Sequence, residues 1–205
     1  MEETTATTHV TPGVMPGNSE IRHKAYTTLT GHWLYPVLAT LLFTAVTAIV
    51  SNIPLANLLV MAPLEFGFAL AFLKLVRGDI AHEDVVTAPF HPFKEYGRYL
   101  GGSLLVFLFT FLWMLLLIVP GIIKGLSYTL TPYIMYDNPD MPVREAVRRS
   151  QQMMNGYKWK LFCLYLSFIG WFLLGCITLG IGMLWVTPYV QAAEAHFYEE
   201  LKARC

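Results

Sequence analysis

Hydrophobic positions fill three long stretches of this chain in which no Asp, Glu, Lys or Arg occurs: between Lys24 and Glu65, between Arg98 and Lys124, and between Lys160 and Glu194. A helix that crosses a bilayer needs about 20 apolar residues, because hydrocarbon offers no partner to a backbone N–H or C=O. Each stretch is longer than that. Helices of a soluble all-α core would carry a charged stripe every three or four residues, and none of these stretches has one.

Turn residues divide the stretches. An apolar run from Trp33 to Val50 is followed by Ser51-Asn52-Ile53-Pro54 and a second run from Leu55 to Val76, which predicts a helix hairpin. As one straight helix, the run from Tyr99 to Tyr136 would be about 57 Å long, nearly twice the hydrocarbon thickness, so a break is expected at Pro120-Gly121. The run from Leu161 to Tyr198 carries Gly180 and Gly182 near its centre, where the chain is expected to reverse. The pattern therefore predicts an all-α polytopic membrane bundle of six transmembrane helices arranged as three hairpins. Four spans are the alternative, with Tyr128 to Tyr136 and Pro188 to Tyr198 as interfacial segments.

Thirteen of the fourteen Lys and Arg residues lie in the N-terminal segment, the two long loops and their flanks, and the C-terminus; Lys124 alone lies near an expected short turn. The positive-inside bias places both termini and both long loops in the cytoplasm. A weak repeat accompanies this: Gly31-His32-Trp33, Gly97-Arg98-Tyr99 and Gly156-Tyr157-Lys158-Trp159 each open an apolar run, at intervals of about 60 residues. Gly121 reaches Tyr128, and Gly182 reaches Tyr189, in the same seven steps. Residues 19–205 are read as one transmembrane domain, divisible into tandem units 19–78, 79–138 and 139–205. Residues 1–18 are Thr, Pro and Gly rich with no apolar run, which predicts a disordered tail rather than a signal peptide.

Between the spans the pattern becomes amphipathic. In 142–155, Val143, Val147 and Met154 share a face, Arg144, Arg148 and Arg149 crowd the flanks, and Gly156 supplies a stop. Such a helix suits the membrane surface and anionic lipid headgroups, its plainest role being an anchor. Ile21, Ala25 and Leu29 make a weaker version. The loop around Pro89-Phe90-His91-Pro92-Phe93 places aromatics at an interface.

Composition agrees with the pattern: 55% of residues are hydrophobic and only 14% charged, and fourteen basic residues balance fourteen acidic ones. No basic stripe points to nucleic acid. Cys163, Cys176 and Cys205 form no disulfide framework. Glu65 is the first candidate for chemistry, about ten positions into a spanning helix and about 15 Å deep, where an ionisable group needs a partner or a proton. Lys124 is the nearest cation by depth if the two helices meet. Tyr128 and Asp137 belong to an aromatic stretch ending in Asp137-Asn138-Pro139-Asp140, which also reads simply as a helix stop. Glu194 and His196 lie near the end of the last helix, and His196 and Glu200 fall one turn apart without a metal-binding motif. No metal or cofactor is expected. No nucleophile elbow, P-loop or dinucleotide fingerprint occurs, so an enzyme is disfavoured.

Val119-Pro120-Gly121-Ile122-Ile123-Lys124, the aromatic stretch to Asp137-Asn138-Pro139, Ser150-Gln151-Gln152-Met153-Met154-Asn155-Gly156, Leu166-Ser167-Phe168-Ile169-Gly170-Trp171, Pro188-Tyr189 and Phe197-Tyr198 are together similar to the bacterial membrane family known as domain of unknown function 975. The resemblance runs from about residue 20 to the C-terminus. It implies a prokaryotic inner-membrane protein and brings no catalytic residues with it. A fainter similarity links such hairpin proteins to the membrane portion, not the catalytic portion, of some glycerophosphodiester phosphodiesterases. Three functions remain in view: transport or sensing of a small solute or lipid through a path containing Glu65; a scaffold recruiting partners through its amphipathic helices; and a membrane-embedded hydrolase, should Asp137, Glu194 and His196 converge.

Overall fold

The computed structural model describes residues 15–50, 54–89, 96–116, 118–178 and 180–204. Most of the expected tail, the turn Ser51-Asn52-Ile53, the aromatics Phe90 to Phe93 and Cys205 lie outside them. Among the described residues the fold is helical throughout: α1 (Asn18–Leu29), α2 (Leu34–Val50), α3 (Pro54–Arg77), a 3₁₀ turn (His82–Val86), α4 (Tyr96–Leu116), α5 (Ile118–Tyr128), α6 (Thr131–Asp137), α7 (Val143–Met153), α8 (Lys158–Leu166), α9 (Ile169–Ile177) and α10 (Met183–Lys202).

Three return arms, α3, α5–α6 and α10, form the centre, and the outgoing arms α2, α4 and α8–α9 lie outside them. Burial distinguishes α3, α6 and α10 from the outgoing arms, while α5 leaves Ile122 and Ile123 exposed. Phe68, Phe72 and Leu73 of α3, Tyr133 and Ile134 of α6, and Ala192, Phe197 and Tyr198 of α10 are at most 2% exposed. On the outgoing arms Ile49, Leu115 and Ile177 are 71%, 77% and 78% exposed, amid many other uncovered large apolar side chains. A soluble monomer rarely exposes apolar surface so continuously. Gly97–Leu115 and Lys158–Ile177 are long and apolar enough to cross a membrane, and α1 with α2, bent by 96°, would make a third such unit.

The reversal after α4 comes earlier than the Pro-Gly pair suggests. Helix α4 ends at Leu116 and α5 begins at Ile118, so Pro120 and Gly121 lie in the first turn of α5. Proline is tolerated there because the first N–H groups of a helix have no intrahelical acceptor. Antiparallel packing follows from the pairs Phe109–Tyr128 and Trp113–Lys124. Gly121 permits the contact, since a Cβ at that position would stand 2.6 Å from Met114 Cγ. The third reversal falls where expected, between α9 and α10 at Gly180–Gly182.

The amphipathic helices sit at one end of the bundle. Ile21, Ala25 and Leu29 are fully buried, and α1 packs along α10. Helix α7 buries Ala146, Val147, Ser150 and Met153 and leaves Arg144, Arg148 and Arg149 exposed. Pro142 is its N-cap. Ser150 Oγ donates to the Ser127 carbonyl at 2.8 Å, satisfying an acceptor near the end of α5. Gly31 and Gly156 supply the left-handed backbone (φ 86° and 85°) that turns each of these helices toward the apolar arm that follows. Gly97, the third glycine of the sequence repeat, lies inside α4 and makes no such turn.

Backbone contact at Gly67 gives a direct test of this packing. A Cβ there would meet the Pro89 carbonyl oxygen at 2.0 Å, whereas Gly101 in α4 has nothing within 4 Å. Gly67→Ala is expected to cost about 1–3 kcal/mol and Gly101→Ala to be neutral or stabilising by up to about 1 kcal/mol, measured by thermal unfolding in detergent.

Candidate functional site

Where the hairpins meet, a cleft of about 400 Å³ opens between α3, α4, α5, α6, α8 and α10. Helical spacing assembles its walls. Glu65, Phe66 and Ala69 come from α3; Ser103, Val106, Phe107 and Thr110, at steps of three and four, present one face of α4. Gly125, Tyr128 and Thr129 continue through α5 and just beyond its end, Pro132 and Tyr133 come from α6, Tyr165 from α8, and Gln191 and Glu194, one turn apart, from α10. Glu65 has an exposed side chain, and the surface it meets is this cleft.

Polar groups in the cleft are unequally matched. The Tyr165 hydroxyl donates to Glu194 Oε1 at 2.8 Å, a bond strengthened when the acceptor is charged. Tyr133 is fully buried and its hydroxyl has no hydrogen-bond partner among the described residues; neither has Gln191 Oε1. Among the described residues the lining includes two carboxylates and no Lys, Arg or His.

Toward the end where the amphipathic helices lie, the Tyr133 ring stacks on Tyr198 at 5.1 Å, and the Tyr198 hydroxyl donates to Asp137 Oδ2 at 2.6 Å. Asp137 is the centre of an ionic cluster. Arg77 Nη1 and Nη2 grip its two oxygens at 2.6 and 2.8 Å, and Lys202 Nζ donates to Oδ2 at 2.7 Å. Arg77 also reaches Glu199 Oε1, at 2.8 Å from Nε. Three return arms are thereby joined at one carboxylate. Burial alone would oppose its ionisation, but the bonds from Arg77, Lys202 and Tyr198 outweigh this and hold the Asp137 carboxyl at about 2. Arg77 is pushed up in turn, chiefly by its bond to Asp137.

Beside this cluster Glu200 accepts from Lys24 at 2.6 Å and pairs with Arg204 at 3.1 Å, fastening α1 to α10. His196 Nε2 lies 2.9 Å from the Thr28 hydroxyl. Burial, with the Lys24 charge nearby, lowers His196 to about 4. Arg98 donates to the carbonyls of Met135 and Asn138 at 3.0 and 2.5 Å, closing the end of α6.

Of the residues singled out by sequence, Glu65, Tyr128 and Glu194 converge on the cleft. Asp137 and His196 lie in the charged end, and Asp137, Glu194 and His196 occupy three different surroundings rather than one site. Lys124 does not reach Glu65: its Nζ lies over the Trp113 ring at 4.9 Å, and it does not line the cleft. His196 and Glu200 do not share a ligand, and among the described residues no group of three or more His, Cys, Asp or Glu could hold a metal ion. Tyr165, Gln191 and Arg77 were not anticipated. One signal was available for the aromatic wall, since Thr131-Pro132-Tyr133 recurs as Thr187-Pro188-Tyr189 at corresponding points of two return arms.

Asp137→Ala leaves Arg77 and Lys202 without their shared acceptor and is expected to cost about 3–5 kcal/mol by chemical unfolding in detergent. His196 gives a pH signature. Its pKa is about 6.5 unfolded and about 4 folded, so between those values the unfolded chain binds more protons. Its contribution is complete above pH 6.5 and is lost as the pH falls toward 4. The melting temperature should fall across that window, and less steeply in His196→Gln.

A family model described as Protein of unknown function (DUF975) matches residues 97–205, more than half of the chain. No curated protein and no solved structure matches it. The matched region runs from the start of α4 through the third hairpin and includes most of the cleft wall and Asp137, and by that match the chain belongs to the DUF975 family of proteins of unknown function.

Proposed function

We propose that this protein is a multi-pass integral protein of the bacterial cytoplasmic membrane that moves or senses a small solute or lipid through the cleft, without catalysing a reaction. The single observation that carries this reading is the pairing of Glu65 and Glu194 in one cleft whose wall, among the described residues, holds no basic side chain. Charged groups at membrane depth are costly, and where they occur they mark substrate paths and proton relays. Each return arm places a proline near the cleft level, Pro63, Pro132 and Pro188. Prolines are tolerated in membrane helices where neighbouring helices re-satisfy the freed carbonyls.

The three outgoing arms and three return arms give six crossings, with α1, α7 and the charged cluster on the cytoplasmic side together with both termini. The distribution of Lys and Arg supports that orientation. Arg144, Arg148 and Arg149 line an open groove on the outer face of α7, a surface suited to anionic headgroups. A purely structural role would leave Glu65 dispensable, and a hydrolase would need a nucleophile beside a base in the cleft, whereas the Ser103 hydroxyl there donates to the Tyr99 and Leu100 carbonyls.

Reconstitution decides between these readings. In liposomes loaded with a pH-sensitive dye and given an outward proton gradient, wild-type protein is expected to accelerate proton movement, and Glu65→Gln to reduce the rate at least about fivefold, a little under 1 kcal/mol per site. Equal rates in both proteins would remove Glu65 from the path.

A further inference from the structure

Two carboxylates that line one cleft favour a proton or a cation beside them. Among the described residues the cleft wall supplies no side-chain cation. Acids alone would not identify a ligand, but the same wall presents a second, independent feature. Tyr133, 0% exposed, is part of the cleft wall, and its hydroxyl finds no hydrogen-bond partner among the described residues. A buried polar group left unpaired costs about 1–3 kcal/mol, so a site that keeps one is shaped for something that pairs with it. Gln191 Oε1, an acceptor, is in the same condition on the opposite wall.

The chemistry common to these groups is acceptance. Glu65, Glu194, Gln191 Oε1 and the Tyr133 oxygen can all receive an N–H, and the rings of Phe66, Phe107 and Tyr128 offer apolar area and π-faces that favour a cation. A hard divalent ion is a poor match, because it seeks about six oxygens in a close shell, and aromatic walls do not provide them. A quaternary ammonium would match the rings and leave the acceptors unpaired. We propose that the cleft binds a protonated primary or secondary amine carried on a small apolar or aromatic body, its N–H groups shared between Glu65, Glu194 and Gln191 and its body lying against the aromatic wall. This inference rests on the reading of the cleft as a solute site. The volume of about 400 Å³ accommodates a ligand of arylalkylamine size with room for a few waters.

The test uses the purified full chain in detergent and a matched pair of probes, 2-phenylethylamine and 2-phenylethanol, which differ by an ammonium against a hydroxyl. Titration calorimetry is expected to give saturable binding of the amine and none of the alcohol. Glu65→Gln and Glu194→Gln, nearly isosteric, should each weaken amine binding at least tenfold. Tyr133→Phe, which removes one oxygen from the wall and serves if either glutamine variant fails to fold, should weaken it at least threefold. Equal binding of amine and alcohol, absence of saturable binding to wild type, or unchanged affinity in all folded variants overturns the proposal. The proton-flux assay separates this inference from the broader reading. Saturable amine binding with no Glu65-dependent flux upholds the amine site and sinks transport, whereas Glu65-dependent flux with no amine binding sinks the amine and leaves the path standing.

Discussion

Asp137 is the point on which the arrangement of this protein depends. It stands at the end of α6, and the groups that neutralise it come from the ends of the other two return arms, Arg77 from α3 and Tyr198 and Lys202 from α10. An acidic group 10% exposed in its side chain would be a liability alone. Surrounded by a bidentate guanidinium, an ammonium and a phenol, it sets the relative height of the three helices. The cleft walls depend on that registration, since Glu65, Tyr133 and Glu194 each lie on one of the arms so joined.

Division of labour between arms follows from what each must face. Helix α6 and the later parts of α3 and α10 pack against protein on most sides and hold small or flat residues, such as Ala192, Ala193 and Ala195 of α10 and the stacked pair Tyr133–Tyr198. The outgoing arms present Phe, Leu and Ile outward. Because both kinds of arm are apolar, hydropathy alone does not separate them. Contact does.

Much of the architecture was legible from charge and glycine alone. The charge-free stretches located the first hairpin, Gly180 and Gly182 located the third reversal, and the spacing of Ile21, Ala25 and Leu29 identified the buried face of α1. The Pro120-Gly121 pair misled because proline is as much at home in the first turn of a helix as in the loop before it. The cleft was half legible. An acid deep in an apolar run stands out, which singles out Glu65, whereas Glu194 reads as part of the end of the last helix. A tyrosine or glutamine in such a run carries no mark distinguishing a cleft wall from ordinary packing. Tyr165 and Gln191 therefore emerged only once α8 and α10 had been brought together. Arg77 was hidden for a different reason: at a helix end it reads as a solvated cation, and only its distance to Asp137 shows otherwise.

The contrast between outward and inward apolar side chains has a consequence for how this chain can change over time. Where Ile49, Leu115 or Ile177 faces outward, a fluid surround adapts to any apolar shape, so these positions carry information about greasiness and almost none about form. Where Phe72, Leu130 or Phe197 faces inward at 0% exposure, neighbours at close-packed density fix the volume to within a methylene or so. Two halves of the same hydrophobic vocabulary thus drift at different speeds. The slower half, concentrated in α3, α6 and α10 with the inner faces of α1, α7 and α8, is the part of the text in which the protein's purpose is written.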